Sequence, residues 1–291
     1  MIKEEYKENK DGSEYTYKYY DKNDPIKYVI VNRGKIVKKT TDYFIDIVEK
    51  DCGSYKRKDY RIQTNEDWKK IIGNTKGNID CEYSEITNLE GAPKEVGGDF
   101  YCNNSKITSL KGAPNKVGDF FDCSNTQITS LEGAPREVGG SFYCYNTKIT
   151  SLEGAPKEVG RGFYCNDTQI TSLEGAPSKV GGDFSCNRTP ITSLEGAPSK
   201  IGDFFDCSNA QITSLKGAPS KVGGNFYCNR TQITSLEGAP NKVGGSFYCL
   251  STKITKDQAI EYLKNNDCNE IVGEFGTIKK SDVIKESYFG Y

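Results

Sequence analysis

Two groups of residues in this chain have the types and spacing to do chemistry. The first is the cysteines, eleven in 291 residues. Nine of them, Cys81, Cys102, Cys123, Cys144, Cys165, Cys186, Cys207, Cys228 and Cys249, recur every 21 residues. A cysteine can be a nucleophile, half of a disulfide or a metal ligand. The nucleophile needs help to become a thiolate, and the chain has no histidine. That removes every Cys-His or Ser-His pair, the commonest general base and the commonest metal ligand. No C-x-x-C pair occurs, so a zinc site of the usual spacing is not expected. An odd number, one per repeat at an apolar position, reads as reduced core cysteine, because free Cys behaves as a small buried hydrophobe. A cytoplasmic location fits that redox state. The expectation is therefore no enzyme, no metal and no cofactor.

The second group lies around the cysteines in three columns that change from repeat to repeat. One residue before each Cys stand Asp80, Tyr101, Asp122, Tyr143, Tyr164, Ser185, Asp206, Tyr227 and Tyr248. The residue after each Cys is Asn, Ser, Tyr145, Asn166 or another polar type in most repeats. Three residues before the Cys, Phe120 and Phe204 punctuate a column of Asp, Asn, Ser and Gly. Tyr gives large rigid contacts and Asn or Ser adaptable hydrogen bonds, the chemistry of an antibody-like binding face. The expected partner-binding residues are Tyr101, Phe120, Asp122, Tyr143, Tyr145, Tyr164, Asn166, Phe204, Asp206, Tyr227 and Tyr248. The competing reading is that tyrosine stacks simply stabilise an exposed sheet.

The element that must position them is one unit, F-Y-C-N-x-T-x-I-T-S-L-E-G-A-P-x-x-V-G-G-x, running from Ile79 to Ile254 without an insertion. A fixed short period marks a solenoid whose units stack only on their neighbours. Phe100 and Cys102 alternate with Asp99, Tyr101 and Asn103, so one strand points Phe and Cys inward. Ile107, Leu110 and Val117 supply further core layers, and Gly112-Ala113-Pro114 turns the chain. The Ser or Thr three residues after most of the Cys, such as Ser105 or Thr126, is placed to bond the turn backbone and to repeat as a ladder along the array. The stretch Val117–Asn125 recurs almost unchanged as Ile201–Asn209, four units later, as a duplicated block would. At about 4.8 Å per coil the two matching patches lie about 19 Å apart.

The pattern F-x-C-x-x-T-x-I-T-S-L, with a proline after it, resembles a leucine-rich repeat, L-x-L-x-x-N-x-L-x-x-L, most of all the short bacterial type. Phe100 and Cys102 match the strand leucines, Ser105 the asparagine-ladder position, and Ile107 and Leu110 the next core positions. Thr or Ser replaces the ladder Asn, and the Val-to-Phe spacing is one residue longer. Both a horseshoe and a straighter β-solenoid remain open. The resemblance implies a parallel sheet of about nine coils, a mainly-β repeat solenoid. The string S-L-E-G-A-P-K-E-V-G-G also looks like repeat proteins of tailed phages and some AT-rich bacteria, which implies origin more than activity. Some leucine-rich-repeat effectors carry a Cys-dependent ubiquitin-ligase domain. The segments flanking this array are too short for one, and Cys52 and Cys268 lack a histidine partner.

Residues 1–77 are expected to form an α+β cap or docking domain, 78–255 the solenoid, and 256–291 a helical cap with an aromatic tail. Strands are predicted at Tyr15–Tyr20 and Lys27–Val31, with a hairpin turn over Asn32–Lys35. Asp42–Val48 reads as a strand, Lys56-Arg57-Lys58 as a solvated basic loop, and Thr64–Gly73 as a short helix with a polar cap. Lys256–Asn266 reads as an amphipathic helix over the last coil, followed by strand character at Ile271-Val272 and a helix near Asp282–Glu286.

Net charge is −1, and no apolar run of about 18 residues occurs, so neither nucleic acid nor membrane is expected as a partner. The start lacks an apolar signal region. The expected function is non-catalytic binding of a protein partner, a host protein or defence factor in a phage setting, in the bacterial cytoplasm. The alternative is a virion or tail component, or a glycan-binding surface. The oligomeric state stays open, a dimer included.

Overall fold

The computed structural model describes residues 3–8, 14–21, 24–32, 35–40, 60–71 and 73–289. Among these, strands β1 (Lys3–Glu8), β2 (Glu14–Asp21), β3 (Asp24–Asn32) and β4 (Lys35–Thr40) form an antiparallel meander in that order. Asn32 pairs with Lys35, the two ends of the expected hairpin turn; Arg33 and Gly34 between them lie outside the described residues. Strand β1 was not expected, because K-E-E-Y-K-E contains a single β-favouring residue. The expectations for Asp42–Val48, for Lys56-Arg57-Lys58 and for Cys52 lie outside the described residues.

From Tyr60 onward the chain is a parallel β-solenoid of about ten coils with a 21-residue period. Each coil contributes two short strands, not one. Phe121–Asp122 pairs in register with Phe100–Tyr101 on one side and Phe142–Tyr143 on the other. A second ladder runs through Lys116–Val117, Glu137–Val138 and Glu158–Val159. The backbone bonds of the two ladders run in opposite senses. Phe121 N–H donates forward to Ser141 O (2.9 Å), whereas Gly139 N–H donates back to Val117 O (3.0 Å).

The core is a set of columns. Ile79 and then Phe100, Phe121, Phe142, Phe163, Phe184, Phe205, Phe226 and Phe247 are fully buried, as are the Ile columns and most of the Leu column. Successive phenylalanine rings stack at 4.9–5.5 Å, in the offset geometry aromatic pairs prefer. At roughly 1.5–3 kcal/mol per fully buried Phe, the stack is one of the main cohesive elements between coils, beside the Ile, Leu and Val columns. The ten described cysteines are free and buried, as their apolar phase predicted. Their thiols are not idle: Cys123 and Cys144 donate to the Tyr143 and Tyr164 carbonyls of the next coil, at 3.3 and 3.4 Å.

The strands stop after two residues because the backbone bends at once. The second residue after every repeat Cys lies in the left-handed region, from Tyr83 (φ 52°) through Asn104 (φ 54°) to Ser251 (φ 54°). Asn tolerates that region best among non-glycine residues, which explains Asn104, Asn125, Asn146 and Asn209. The next side chain ties the bend down: Thr126 Oγ1 donates to Cys123 O at 2.6 Å, and Thr147, Thr168, Thr189 and Thr231 repeat the bond. The bond closes within a coil; it is not a ladder between coils.

Both ends of the core are covered. At the start, a 3₁₀ helix over Asn65–Lys70 places Trp68, 2% exposed, with its ring 6.2 Å from Phe100 and 9° from parallel. It is the expected Thr64-capped helix, wound more tightly. At the far end, Asp267–Gly273 pairs parallel with Lys242–Tyr248 and so adds a further partial coil. The last Leu of the repeat register is thus not where the sheet ends. Helix α1 (Lys256–Asn265) buries Ala259, Tyr262 and Leu263, Tyr262 tilting against Phe247 at 5.5 Å. Helix α2 (Lys280–Phe289) closes the chain after the antiparallel strand Gly276–Lys279. Among the described residues no helix is long and apolar enough to cross a membrane.

Candidate binding face

Because Phe and Cys point inward, the residues beside them form one outer face of the Phe ladder. All eleven expected binding residues lie there and all are half-exposed. They do not form one continuous patch. Phe120, Tyr143 and Tyr164 make a ladder across three coils: Phe120 tilts on Tyr143 at 6.2 Å, and Tyr143 stacks on Tyr164 at 4.9 Å and 8°. Tyr145 meets Tyr143 edge-on at 6.3 Å. Four units later the same arrangement returns: Phe204 lies edge-on to Tyr227 at 6.1 Å, and Tyr227 stacks on Tyr248 at 4.8 Å. Tyr101, Asp122, Asn166 and Asp206 lie beside these ladders rather than in them. Parallel in-register pairing sets equivalent residues one coil apart, which brings tyrosines in the same column of two successive coils within stacking reach.

Carboxylates surround the rings. Tyr164 donates its phenol hydrogen to Asp183 Oδ2 at 2.5 Å, and burial together with that bond pushes its phenol well above the usual range. Tyr101 is raised likewise, by burial and then by Asp99. Asp122 is also raised, by burial, although its Oδ1 accepts from Ser124 N–H at 2.9 Å and from Ser124 Oγ at 2.6 Å. Asp206 accepts from Asn187 Nδ2 (2.6 Å) and from Ser208 N–H (2.9 Å). Among the described residues none of Asp99, Asp119, Asp122, Asp183, Asp203 and Asp206 forms an ion pair. The opposite behaviour holds along the Val ladder, where Lys116 pairs with Glu137 at 3.0 Å and Lys179 with Glu158 at 3.6 Å. Around the aromatic ladders the Phe face carries carboxylates without ion-pair partners, although Asp80 at its start pairs with Arg61, whereas the Val ladder carries interleaved charges.

Three features of this face were not expected from the residues alone. Asp99, Asp183 and Asn225 use side-chain oxygens to accept the N–H of the residue one coil on, at 3.1, 3.4 and 2.8 Å. Asp119 and Asp203 join this acidic edge from a column otherwise mostly glycine. In that same column stands Arg161, whose guanidinium lies over the Phe120 ring at 5.5 Å. The signal was present as a single G-R-G where other repeats read G-G-x or G-D-F.

The thiols offer no primed nucleophile. Burial drives Cys102, Cys123 and Cys144 far above the ordinary thiol value, and Cys249 and Cys268 to about 11. Among the described residues no cluster of three or more acidic or thiol side chains is placed to hold a metal ion. A second concavity of about 720 Å³ runs along the Val ladder over the Gly118, Gly139 and Gly160 backbone, rimmed by Arg136 and Lys157. No protein family matches this chain, and neither a curated protein nor a solved structure resembles it significantly.

Proposed function

We propose that this chain is a non-catalytic interaction module that binds a protein partner through the outer face of the Phe ladder. The carrying observation is the duplicated pair of half-exposed aromatic ladders, Phe120–Tyr143–Tyr164 and Phe204–Tyr227–Tyr248, set among aspartates whose partners are neutral donors. Aromatic rows of this kind supply most of the energy in protein interfaces, because they bury large area at low entropic cost. The buried, strongly raised thiols support the non-catalytic part of the reading. The inward Phe, Cys, Thr, Ile and Leu positions support kinship with short leucine-rich repeats, and on that kinship the partner is a bacterial host protein met in the cytoplasm by a phage-encoded factor.

The test is capture from bacterial lysate followed by direct titration of the purified partner. Wild type should retain a stoichiometric protein that Tyr143→Ala/Tyr145→Ala/Tyr164→Ala loses. A partner held equally by both would move the site to the flanking segments. A second reading, a glycan-binding or virion surface, draws on the regular spacing of stacked tyrosines, which suits the repeated rings of a polymer. Binding of a glycan array with no captured protein would favour it.

A further inference from the structure

The two aromatic ladders are near-copies, and one of their differences lies directly over the leading phenylalanine. Over Phe120 sits the guanidinium of Arg161, 5.5 Å from the ring centroid. Phe204 holds the place of Phe120 four units on, with the same contact to the tyrosine of the next coil. The residue equivalent to Arg161 there is Gly245. Among the described residues no cation lies over Phe204, which is half-exposed. Its surroundings are acidic. Asp203 precedes it in the chain, Asp206 follows two residues later, and Asp183 Oδ1 accepts the Phe204 N–H at 3.4 Å. The partners of Asp183 and Asp206 are neutral donors, the Tyr164 phenol, the Asn187 amide and backbone N–H groups. The first copy therefore displays a filled site and the second copy the same site without its cation.

We propose that the Phe204 face, bounded by Asp183, Asp203 and Asp206, binds an arginine side chain of a protein partner, repeating between molecules the contact that Arg161 makes with Phe120 inside the chain. The inference rests on the interaction reading above and adds the chemistry of the partner: a segment that presents arginine. A ring face attracts a cation through its quadrupole. Arginine suits the site better than lysine, because a planar guanidinium can stack on the ring while its N–H fork reaches carboxylates beside it. Arg161 plugs the first copy, so the duplication leaves one such site per chain rather than two.

The test uses hexa-arginine and hexalysine amides titrated into the full-length protein at low salt, read by calorimetry. One hexa-arginine should bind per chain, more tightly than hexalysine. Phe204→Leu should weaken it at least about tenfold, the scale of a lost cation–π and charge contact. Asp203→Asn/Asp206→Asn should do the same, and it covers the case in which the Phe204 variant misfolds. Arg161→Gly should raise the stoichiometry from one peptide to two. Unchanged binding in both the Phe204 and the aspartate variants, or a single peptide on Arg161→Gly, overturns the inference. A wild-type dimer that the peptide dissociates would make a second copy the occupant, and would overturn a foreign partner. A captured protein lost by the tyrosine variant, with no peptide binding, sinks this inference alone. Peptide binding at Phe204 without any captured protein sinks the host-protein reading alone.

Discussion

A Cβ added to Gly160 would lie 1.9 Å from the carbonyl oxygen of Gly139, one coil below. The same near-contact recurs at Gly118, Gly181, Gly202, Gly223 and Gly244, so the first glycine after the core valine is a column of backbone on backbone. Its cause is proximity, not dihedral freedom, because the Val ladder brings these turns within van der Waals distance of each other. Gly160→Ala must therefore push two coils apart, and we expect a loss of about 1–3 kcal/mol or more in urea unfolding. Gly276 is the control. Its φ is +87° but nothing lies within 4 Å of an added Cβ, so Gly276→Ala should cost only the left-handed penalty, about 1 kcal/mol.

The thiol column predicts how stability depends on pH. Folded Cys249 and Cys268 titrate at about 11, and deeper thiols such as Cys123 and Cys144 are also raised, by burial. The unfolded thiol has an ordinary value near 8.5. Above that value the unfolded chain has released protons that the folded chain still holds, so stability must fall as pH rises. Stability from the thiols is full below about pH 8 and erodes from about pH 9 upward, by up to about 1.4 kcal/mol per pH unit for each thiol still protonated in the fold. Urea midpoints at pH 7, 9 and 10 check this. A midpoint flat across that range would contradict the burial of the column. Native-state labelling with a thiol reagent should be slow and should accelerate in urea.

One coil lacks the hydroxyl that closes its bend. Ala210 stands where Thr126, Thr147, Thr168, Thr189 and Thr231 bond the Cys carbonyl at 2.6–2.7 Å. It is 4% exposed, and Cys207 O accepts Ala210 N–H at 3.2 Å. Ala210→Thr should supply the missing bond and raise stability by about 0.5–1.5 kcal/mol. The reverse change, Thr168→Val, should cost a similar amount, and two thermal melts decide both.

Among the polar contacts that hold the far cap, one lies buried in the joint between helix α1 and the last coil. The Tyr262 phenol donates to the Pro240 carbonyl oxygen, and its ring rests against Phe247. Tyr262→Phe keeps the ring and strands that carbonyl, for an expected cost of about 1–2 kcal/mol. Removing residues 256–291 would uncover Phe247 and Ile254, and should turn the protein into a self-associating species detectable by sedimentation.

Much of this architecture was legible from the residues alone. The inward phase of Phe100, Cys102, Ile107, Leu110 and Val117, the closing role of the Thr hydroxyls, and the helix over the last coil all follow from period and chemical type. A solenoid repeats its contacts at a fixed sequence separation, so its core is written in the spacing. What the spacing concealed were features that depend on how closely and at what angle the coils pass. These include the second strand through each Val, the left-handed second residue after every repeat Cys, and the partial coil contributed by Asp267–Gly273.

The same division holds for the candidate face. Sequence determined which residues face outward, because alternation along a strand fixes the side on which Tyr143 or Asp206 emerges. It also determined that Phe120 and Phe204 are equivalent, because duplication is a property of the string. Only the tertiary structure decided that Tyr143 stacks on Tyr164, that Asp183 takes the Tyr164 phenol, and that Arg161 covers Phe120 while Phe204 stands open. Those are contacts between different coils, and they are set by the rise between coils and by side-chain rotamers, neither of which a one-dimensional period contains.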